Sequence, residues 1–203
     1  MTIRVHLASR NAKKIEEMQR ILGAVVPDLE IVGLDAVPTY GEPVEDAPTF
    51  AGNALAKARA GLDATGLPTL ADDSGLCVDA LNAMPGVLSA RWAGPPRSDD
   101  RNNELLLAQL SDVPDERRRG HFACALALCL PAGRELITEG VMPGRVRRAP
   151  AGTGGFGYDV LFEADSAPGR TTAELRPDEK DAISHRGEAL RLLAPLAREA
   201  LAP

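Results

Sequence analysis

The 203-residue sequence predicts one α/β domain with a mixed β-sheet. From the N-terminus onward, apolar β-rich segments alternate with segments whose apolar residues recur at helical spacing. Two long β-rich segments then follow each other across a Pro-Ala-Gly turn, which is typical of antiparallel strands. No internal repeat or linker interrupts the chain, so residues 1–203 form a single predicted domain, whose length allows two lobes.

The first third of the chain predicts two strands and two helices. Residues 3–8 and 29–34 are β-rich, and between them a helix runs from Asn11 to about Leu22. Thr49 is placed to cap a second helix that continues to about Thr65, and Gly66 follows as its stop.

The middle of the chain predicts a turn between two β-rich pieces. Residues 69–71 form a short predicted strand, and the Asp-Asp-Ser-Gly sequence at 72–75 has the composition of a turn before the apolar piece 76–81. A helix capped by Ser98 is predicted over residues 98–110, and three strands follow at residues 121–130, 136–146 and 158–162. Two helices close the chain, a short one that begins at Pro177 and a long one over residues 184–201.

Composition and charge exclude several classes of protein. The longest apolar run, 122–130, has nine residues and is too short to span a membrane, which takes about 20. The N-terminus lacks the long apolar region of a secretory signal. A net charge of -6 does not favour a nucleic-acid backbone as partner. Three cysteines without a C-x-x-C pair indicate reduced core thiols, so we expect a cytoplasmic protein with neither a nucleic acid nor a membrane as partner.

Two predicted helices begin with cations, which is the unfavourable sign for the helix dipole. Lys13 and Lys14 open the first helix, and His185 and Arg186 open the last. A bound phosphate or carbonyl group would offset that cost, since helix N-termini bind anions. Solvated side chains that tolerate the placement are the alternative, and this feature alone does not separate the two.

Carboxylates cluster at two places. Asp72 and Asp73 follow a short predicted strand, where their side chains point to opposite faces, and residues 42–46 form an acidic loop. Carboxylates of this kind bind Mg²⁺, which takes one or two of them together with phosphate oxygens. An ordinary turn and a solvated loop are the alternatives.

Aromatic residues are scarce and concentrated. Of seven in the chain, Phe156, Tyr158 and Phe162 fall in one short stretch behind the Gly-rich residues 152–155. Such a loop allows close approach of a ligand to the backbone, and its rings can stack on a nucleobase. The alternative is a Gly-rich hairpin whose rings cover the core. The sequence has no P-loop motif, no nucleophile triad and no zinc-ligand spacing.

Six motifs stand in a common order along nearly the whole chain. They are Ser-x-Asn-x-x-Lys at 9–14, Glu45 before Thr-Phe-x-x-Asn-Ala at 49–54, Ala-Asp-Asp-Ser-Gly-Leu at 71–76, Pro-Gly-x-x-Ser-Ala-Arg at 85–91, Gly-Thr-Gly-Gly-Phe-Gly-Tyr-Asp at 152–159, and Glu-Lys-x-x-Ile-Ser-His-Arg-Gly at 179–187. With them the sequence resembles the non-canonical purine nucleoside triphosphate pyrophosphatases, the inosine/xanthosine triphosphate pyrophosphatases of the Ham1-like family. Val160 departs from the family, which usually has proline there.

The resemblance implies an elongated mixed sheet flanked by helices, in two lobes with the active site in the cleft between them, as in ITPase-like and Maf-like proteins. It implies a Mg²⁺-dependent homodimer that hydrolyses ITP, dITP and XTP to the monophosphate and pyrophosphate. Two alternatives are a pyrophosphatase for another modified nucleotide and a nucleotide-binding regulator without turnover. The regulator would be expected to lack the metal carboxylates.

The resemblance also assigns roles to residues. Asp73 would be the proton acceptor and, with Glu45, a metal ligand, and Asp72 is the alternative for either of the two roles of Asp73. Arg186 would meet the 6-carbonyl of the base and leave a donor unpaired opposite adenine. The residues implied in substrate binding are Ser9, Arg10, Asn11, Ala12, Lys13, Lys14, Ser74, Phe156, Gly157, Tyr158, Asp159, Lys180, His185 and Arg186.

Overall fold

The computed structural model describes residues 2–202, and at Ala12 and Lys13 it describes the backbone only. The regular elements follow one another along the chain as α/β alternation predicts. They are β1 (Ile3–Leu7), α1 (Ala12–Gly23), β2 (Leu29–Val32), α2 (Phe50–Thr65), β3 (Thr69–Val78), β4 (Met84–Pro85), α3 (Asp99–Gln109), β5 (Arg119–Cys129), β6 (Glu135–Val146), β7 (Phe162–Ala164), α4 (Pro177–Ile183) and α5 (His185–Ala200).

The strands form one mixed sheet, as the sequence predicts. Its order is β2-β1-β3-β5-β6-β7, with β4 paired to β3 off that path. β1 pairs in parallel with β2 and β3, whereas the β3–β4 and β6–β7 pairs are antiparallel. Helix α1 packs against β2 and α2 packs against β1, which gives the α/β architecture with helices flanking the sheet.

Capping residues set the helix ends where the sequence indicates them. The Thr49 hydroxyl accepts a hydrogen bond from the Gly52 N–H at the start of α2, and Gly66 ends that helix with φ +67°. The Ser98 hydroxyl accepts from the Arg101 N–H at the start of α3. These residues are sufficient to predict the helix ends because each of them acts within one turn of its helix.

The predicted turn at 72–75 is wrong, because β3 runs without interruption from Thr69 to Val78. The strand lies between β1 and β5, where neighbouring strands supply hydrogen-bond partners to its backbone and outweigh local turn preference. Gly75 fits here because a Cβ at that position would lie 2.4 Å from the Gly86 carbonyl oxygen and 2.4 Å from the Ser89 hydroxyl.

The predicted strand at 158–162 is also wrong in its position. Gly157–Val160 form a 3₁₀ turn, and β7 begins at Phe162. The buried Asp159 carboxylate accepts a hydrogen bond from the Phe156 N–H at 2.8 Å, and this contact closes the turn. A side-chain acceptor thus replaces the strand ladder over these residues.

The chain divides into two compact units, each with its own core. The first unit comprises the residues up to Asp73, Cys124–Gly140 and the residues from Arg186 onward. It packs β1, α1 and α5 around residues such as Leu7, Met18 and Leu190. The second unit comprises Ser74–Ala123 and Val141–His185, and Leu76, Leu106 and Phe162 lie in its core. None of the helices in the described part of the chain is long and apolar enough to cross a membrane.

A buried histidine ties the long loop after β2 to the sheet of the first unit. The His6 Nδ1–H donates to the Val32 carbonyl at 3.2 Å, so its Nε2 accepts from the Tyr40 hydroxyl at 2.8 Å. Gly61 of α2 lies against this pair, where a Cβ would be 3.0 Å from the His6 ring and 3.0 Å from the Tyr40 hydroxyl oxygen. Burial lowers the pKa of His6, against a raising effect of the Val32 carbonyl.

The His6 environment predicts a pH-dependent free energy of unfolding. Because the folded protein holds the His6 pKa below its ordinary value, the unfolded chain binds the proton first as the pH falls. Stability is therefore full above about pH 6.5 and declines below it. Urea unfolding at several pH values measures this decline. His6→Gln should remove it, and His121→Gln should keep it. Equal pH dependence in wild type and His6→Gln would contradict the prediction.

Candidate active site

Two neighbouring carboxylates of β3 have different surroundings within the first unit. Consecutive strand residues point to opposite faces, and Asp72 and Asp73 follow that rule. Asp72 contacts Lys14 and Arg186, whereas Asp73 contacts Asn53 and Lys57. The sequence left open which of the two is the base, and this separation assigns them different chemistry.

Asp72 is a buried, ionised carboxylate. Its side chain is 1% exposed, with the Lys14 ammonium 2.8 Å from Oδ2 and the Arg186 Nη2 at 3.2 Å from the same oxygen. Burial alone would raise the pKa of Asp72, but the charges of Lys14, Arg186 and Lys57 outweigh it and hold the pKa well below its usual range. A group held ionised so strongly is a poor proton acceptor.

Arg186 is buried in ion pairs at the start of α5. Besides Asp72, its guanidinium contacts Glu17 of α1, with Nη1 3.0 Å from Oε2. Burial would lower the pKa of Arg186, yet the Asp72 and Glu17 charges raise it above its ordinary value. The arginine thus stays charged, and its orientation is fixed from two elements of the first unit.

The pKa of Asp73 is shifted in the opposite direction from that of Asp72. Its Oδ2 accepts a hydrogen bond from the Asn53 amide at 2.9 Å, and the Lys57 ammonium lies 3.8 Å from Oδ1. Burial raises the pKa of Asp73 above its ordinary value, although Lys57 and Asn53 act to lower it. A carboxylate with a raised pKa holds a proton more readily and is the better general base.

Lys57 connects the acidic loop to β3. Its Nζ lies 2.7 Å from the Glu45 carboxylate and 3.8 Å from Asp73. Burial would lower the pKa of Lys57, but the surrounding carboxylates raise it. Sequence reasoning missed Lys57 and Asn53 as site residues. Their spacing on α2 is the signal that could have found them, because residues four apart share one helix face.

Glu45 and Asp73 fit the requirements of Mg²⁺. Both approach the same ammonium group, so the fold gathers the two carboxylates around a cation. Mg²⁺ commonly takes one or two carboxylates and fills its remaining positions with water and phosphate oxygens. Among the described residues no group of three His, Cys, Asp or Glu side chains could hold a metal by itself. The phosphates of a substrate would therefore have to supply further ligands.

The segment before α1 carries the predicted phosphate-binding residues. The Ser9 hydroxyl accepts from the Asn11 N–H at 3.2 Å, and the exposed Arg10 donates to Glu42 at 2.6 Å. The side chains of Ala12 and Lys13 lie outside the described residues. Phosphate binding by this segment stays a prediction.

In the second unit, Asp159 organises the predicted nucleoside-binding segment from within. Its carboxylate is buried and accepts hydrogen bonds from the Phe156 N–H, from the Thr172 hydroxyl and from Lys180. Phe156 by contrast is 39% exposed, and the Lys180 ammonium lies 5.6 Å from its ring centroid. Phe156 is thus the exposed aromatic residue of this segment, and nucleoside binding by Phe156, Asp159 and Lys180 stays a prediction.

Tyr158 and His185 are buried in the same unit. The Tyr158 hydroxyl donates to the Ser89 carbonyl at 3.0 Å, and the His185 ring stacks on Phe122 with centroids 5.0 Å apart. Ser74 lies half-buried on β3. Substrate contact by these three side chains also stays a prediction.

The fold and these groups define a class of α/β protein with a carboxylate-and-lysine cluster and a separate Gly-rich aromatic segment. The sequence profile of the Ham1 family matches residues 5–196. The chain belongs to the Ham1 family, which confirms the resemblance drawn from the motifs.

Named relatives and solved structures agree with this membership. A Nocardia farcinica protein named dITP/XTP pyrophosphatase is 60% identical over 193 residues, covering 95% of this chain and 93% of its own length. The structure of a nucleoside-triphosphatase / dITP/XTP pyrophosphatase from Mycobacterium abscessus is 53% identical, with a TM-score of 0.78 over 95% of this chain and 100% of that one. A HAM1 protein from Coxiella burnetii is 40% identical, with a TM-score of 0.86 over 98% of this chain and 100% of its own.

The buried ion pair predicts a large loss of stability in Asp72→Asn. The substitution leaves the Arg186 charge buried without its Asp72 partner, and we expect the free energy of unfolding to fall by about 3 kcal/mol. Asp165→Asn is the matched control, since Asp165 pairs with Arg119 at the surface and is 44% exposed. The control should change stability by less than about 1 kcal/mol in urea unfolding. Similar losses in both variants would contradict the assignment.

Proposed function

We propose that this chain hydrolyses deaminated purine nucleoside triphosphates, ITP, dITP and XTP, to the nucleoside monophosphate and pyrophosphate. The observation that carries the proposal is the geometry beside β3, where Asn53 binds the Asp73 carboxylate and the Lys57 ammonium lies 2.7 Å from Glu45 and 3.8 Å from Asp73. Membership of the Ham1 family and relatives named dITP/XTP pyrophosphatase support the choice of substrate. A proton acceptor beside carboxylates that would hold Mg²⁺ supports hydrolysis of a phosphate anhydride.

Asp73 acts as the proton acceptor in this mechanism. It takes a proton from the water that attacks the α-phosphorus. The bond between the α-phosphorus and the oxygen that bridges it to the β-phosphorus then breaks, and pyrophosphate leaves with that oxygen. Asn53 fixes the orientation of the Asp73 carboxylate through its hydrogen bond to Oδ2. Asp72 does not compete for this proton, because Lys14 and Arg186 hold its pKa low.

Cations stabilise the charge that develops on the leaving group. Lys57 lies on the Asp73 face of β3 and is largely buried, and buried positive charge acts more strongly than charge in water. Lys14 pairs with Asp72 on the other face, and its contact with the triphosphate stays a prediction. Glu45 and Asp73 would hold Mg²⁺, which when bound neutralises phosphate charge and polarises the P–O bonds. Ser9, Asn11 and the N-terminus of α1 are the further groups proposed for the triphosphate.

Base recognition is proposed for the Phe156 ring and Lys180 of the second unit. A purine stacks on the exposed Phe156 ring, and such stacking is worth about 1–3 kcal/mol. A donor that pairs with the 6-carbonyl of hypoxanthine or xanthine would be left unpaired by the amino group of adenine. The role expected of Arg186 as that donor stays a prediction, because its guanidinium is 4% exposed and pairs with Asp72 and Glu17. The homodimeric state and the cytoplasmic location stay predictions.

The proposal is tested by turnover of ITP, dITP, XTP, GTP and ATP with Mg²⁺, with the products separated by chromatography. We expect monophosphate and pyrophosphate, formed mainly from the deaminated purines. Asp73→Asn should lower kcat by at least about 100-fold with an unchanged circular dichroism spectrum, because it removes the proton acceptor. Turnover of another modified nucleotide alone, or binding without turnover, would replace the proposal by one of its alternatives.

The metal role of Glu45 predicts a change in Mg²⁺ requirement. Glu45→Gln removes one carboxylate ligand and should raise the Mg²⁺ concentration for half-maximal rate by about tenfold or more. Asp46→Asn is the matched control, since Asp46 is the adjacent, exposed acid of the same loop and should leave that concentration unchanged. Addition of a chelator should abolish turnover in the wild type. An equal shift in both variants would contradict a ligand role for Glu45.

A further inference from the structure

Two side chains of α3 hold both polar groups of one glycine backbone in the second unit. The Gly157 N–H donates to Asp99 Oδ2 at 2.7 Å, and the Gly157 carbonyl accepts from the Asn103 amide at 3.0 Å. Asp99 and Asn103 are four positions apart, so they share one face of the helix. Together they fix the orientation of this residue at both ends.

Gly157 has open space on the side where other residues have a side chain. It has φ +62°, a left-handed conformation that favours glycine, and apart from its chain neighbours nothing lies within 4 Å of the place where a Cβ would be. The two bonds from α3 therefore restrain the backbone of a residue that has no side chain to pack.

Asn103 is an unusual choice for a position so deeply buried. It is 9% exposed, and its Oδ1 has no hydrogen-bond partner among the described residues. A buried polar atom without a partner lowers stability, and leucine at this position would avoid that loss. A residue that costs stability and bonds a single backbone carbonyl points to a requirement of function.

The residue that the two side chains hold lies next to the proposed base-stacking ring. Gly157 follows Phe156, which is 39% exposed and whose ring centroid lies 5.6 Å from the Lys180 ammonium. A shift in the Gly157 backbone would turn the Phe156 ring, because the two residues share a peptide bond. The two hydrogen bonds from α3 therefore affect the part of the proposed site that would bind the nucleoside.

We propose that Asp99 and Asn103 are positioning residues for nucleoside binding, which they serve by fixing Gly157 and through it the Phe156 ring. The inference rests on the proposed function and adds two residues of α3 to it. Neither side chain contacts the substrate in this proposal. Their loss weakens the binding of a nucleoside and leaves the binding of free pyrophosphate intact.

Asp99→Ala and Asp100→Ala form the matched test. Both remove a first-turn acid of α3, and both residues are exposed, but only Asp99 bonds Gly157. Asp99→Ala should raise the KM for ITP by about tenfold with little change in kcat, the size expected for a lost charged hydrogen bond. Asp99→Asn keeps an acceptor oxygen and should fall between Asp99→Ala and wild type. Asp100→Ala should match wild type.

Calorimetric titration separates positioning from a general structural role. IMP should bind Asp99→Ala about tenfold more weakly than wild type, with the affinity for pyrophosphate unchanged. Asn103→Leu should also weaken IMP binding, with its kcat and its affinity for pyrophosphate unchanged. An IMP affinity equal to that of wild type, or an affinity for pyrophosphate that falls with it, would overturn the inference.

The outcomes keep the two proposals apart. A wild-type protein that fails to hydrolyse ITP overturns the proposed function. A wild type that hydrolyses ITP while Asp99→Ala and Asp100→Ala behave alike overturns the positioning role and leaves the function standing. Equal weakening of IMP and pyrophosphate in Asp99→Ala would also overturn it.

Discussion

The alternation of side chains along β3 is the constraint on which the chemistry of the first unit depends. A strand sends consecutive side chains to opposite faces, and at Asp72 and Asp73 this places two carboxylates in different electrostatic surroundings. One face offers the cations of α1 and α5, and the other offers an amide and an ammonium of α2. Each helix supplies its groups because it packs against the sheet that contains β3.

The two carboxylates illustrate how environment divides roles between identical groups. Three cations outweigh the cost of burying Asp72, so this residue serves as a fixed negative charge that holds Lys14 and Arg186 in place. Burial prevails at Asp73, where the cations are fewer or more distant, and its affinity for a proton rises. Neighbouring carboxylates with pKa values pushed apart are a common arrangement for acid–base chemistry. Lys57 gives the cluster a positive charge between Glu45 and Asp73.

The sequence predicted the elements whose signals are local. Thr49, Gly66 and Ser98 act within one helical turn, and their helices begin or end where expected. The Asp-Asp-Ser-Gly segment failed because its turn preference is local, whereas the sheet on either side of β3 is built from residues far away in sequence. The 3₁₀ turn after Phe156 depends on the inward orientation of Asp159, which composition does not reveal. The motifs identified the acidic residues, yet the partners that separate Asp72 from Asp73 come from three helices, α1, α2 and α5.

Continuity of β3 also bears on how the family can vary in length. One residue inserted or deleted before Asp72 would exchange the faces of the two carboxylates, bringing the intended base to the cations of α1 and α5. The same shift would move Gly75 away from the Gly86 carbonyl and Ser89, which leave no room for a side chain at its present position. Homologous chains should therefore keep the residue count of β3 constant. The number of residues in β3 thus decides which face of the sheet each carboxylate occupies.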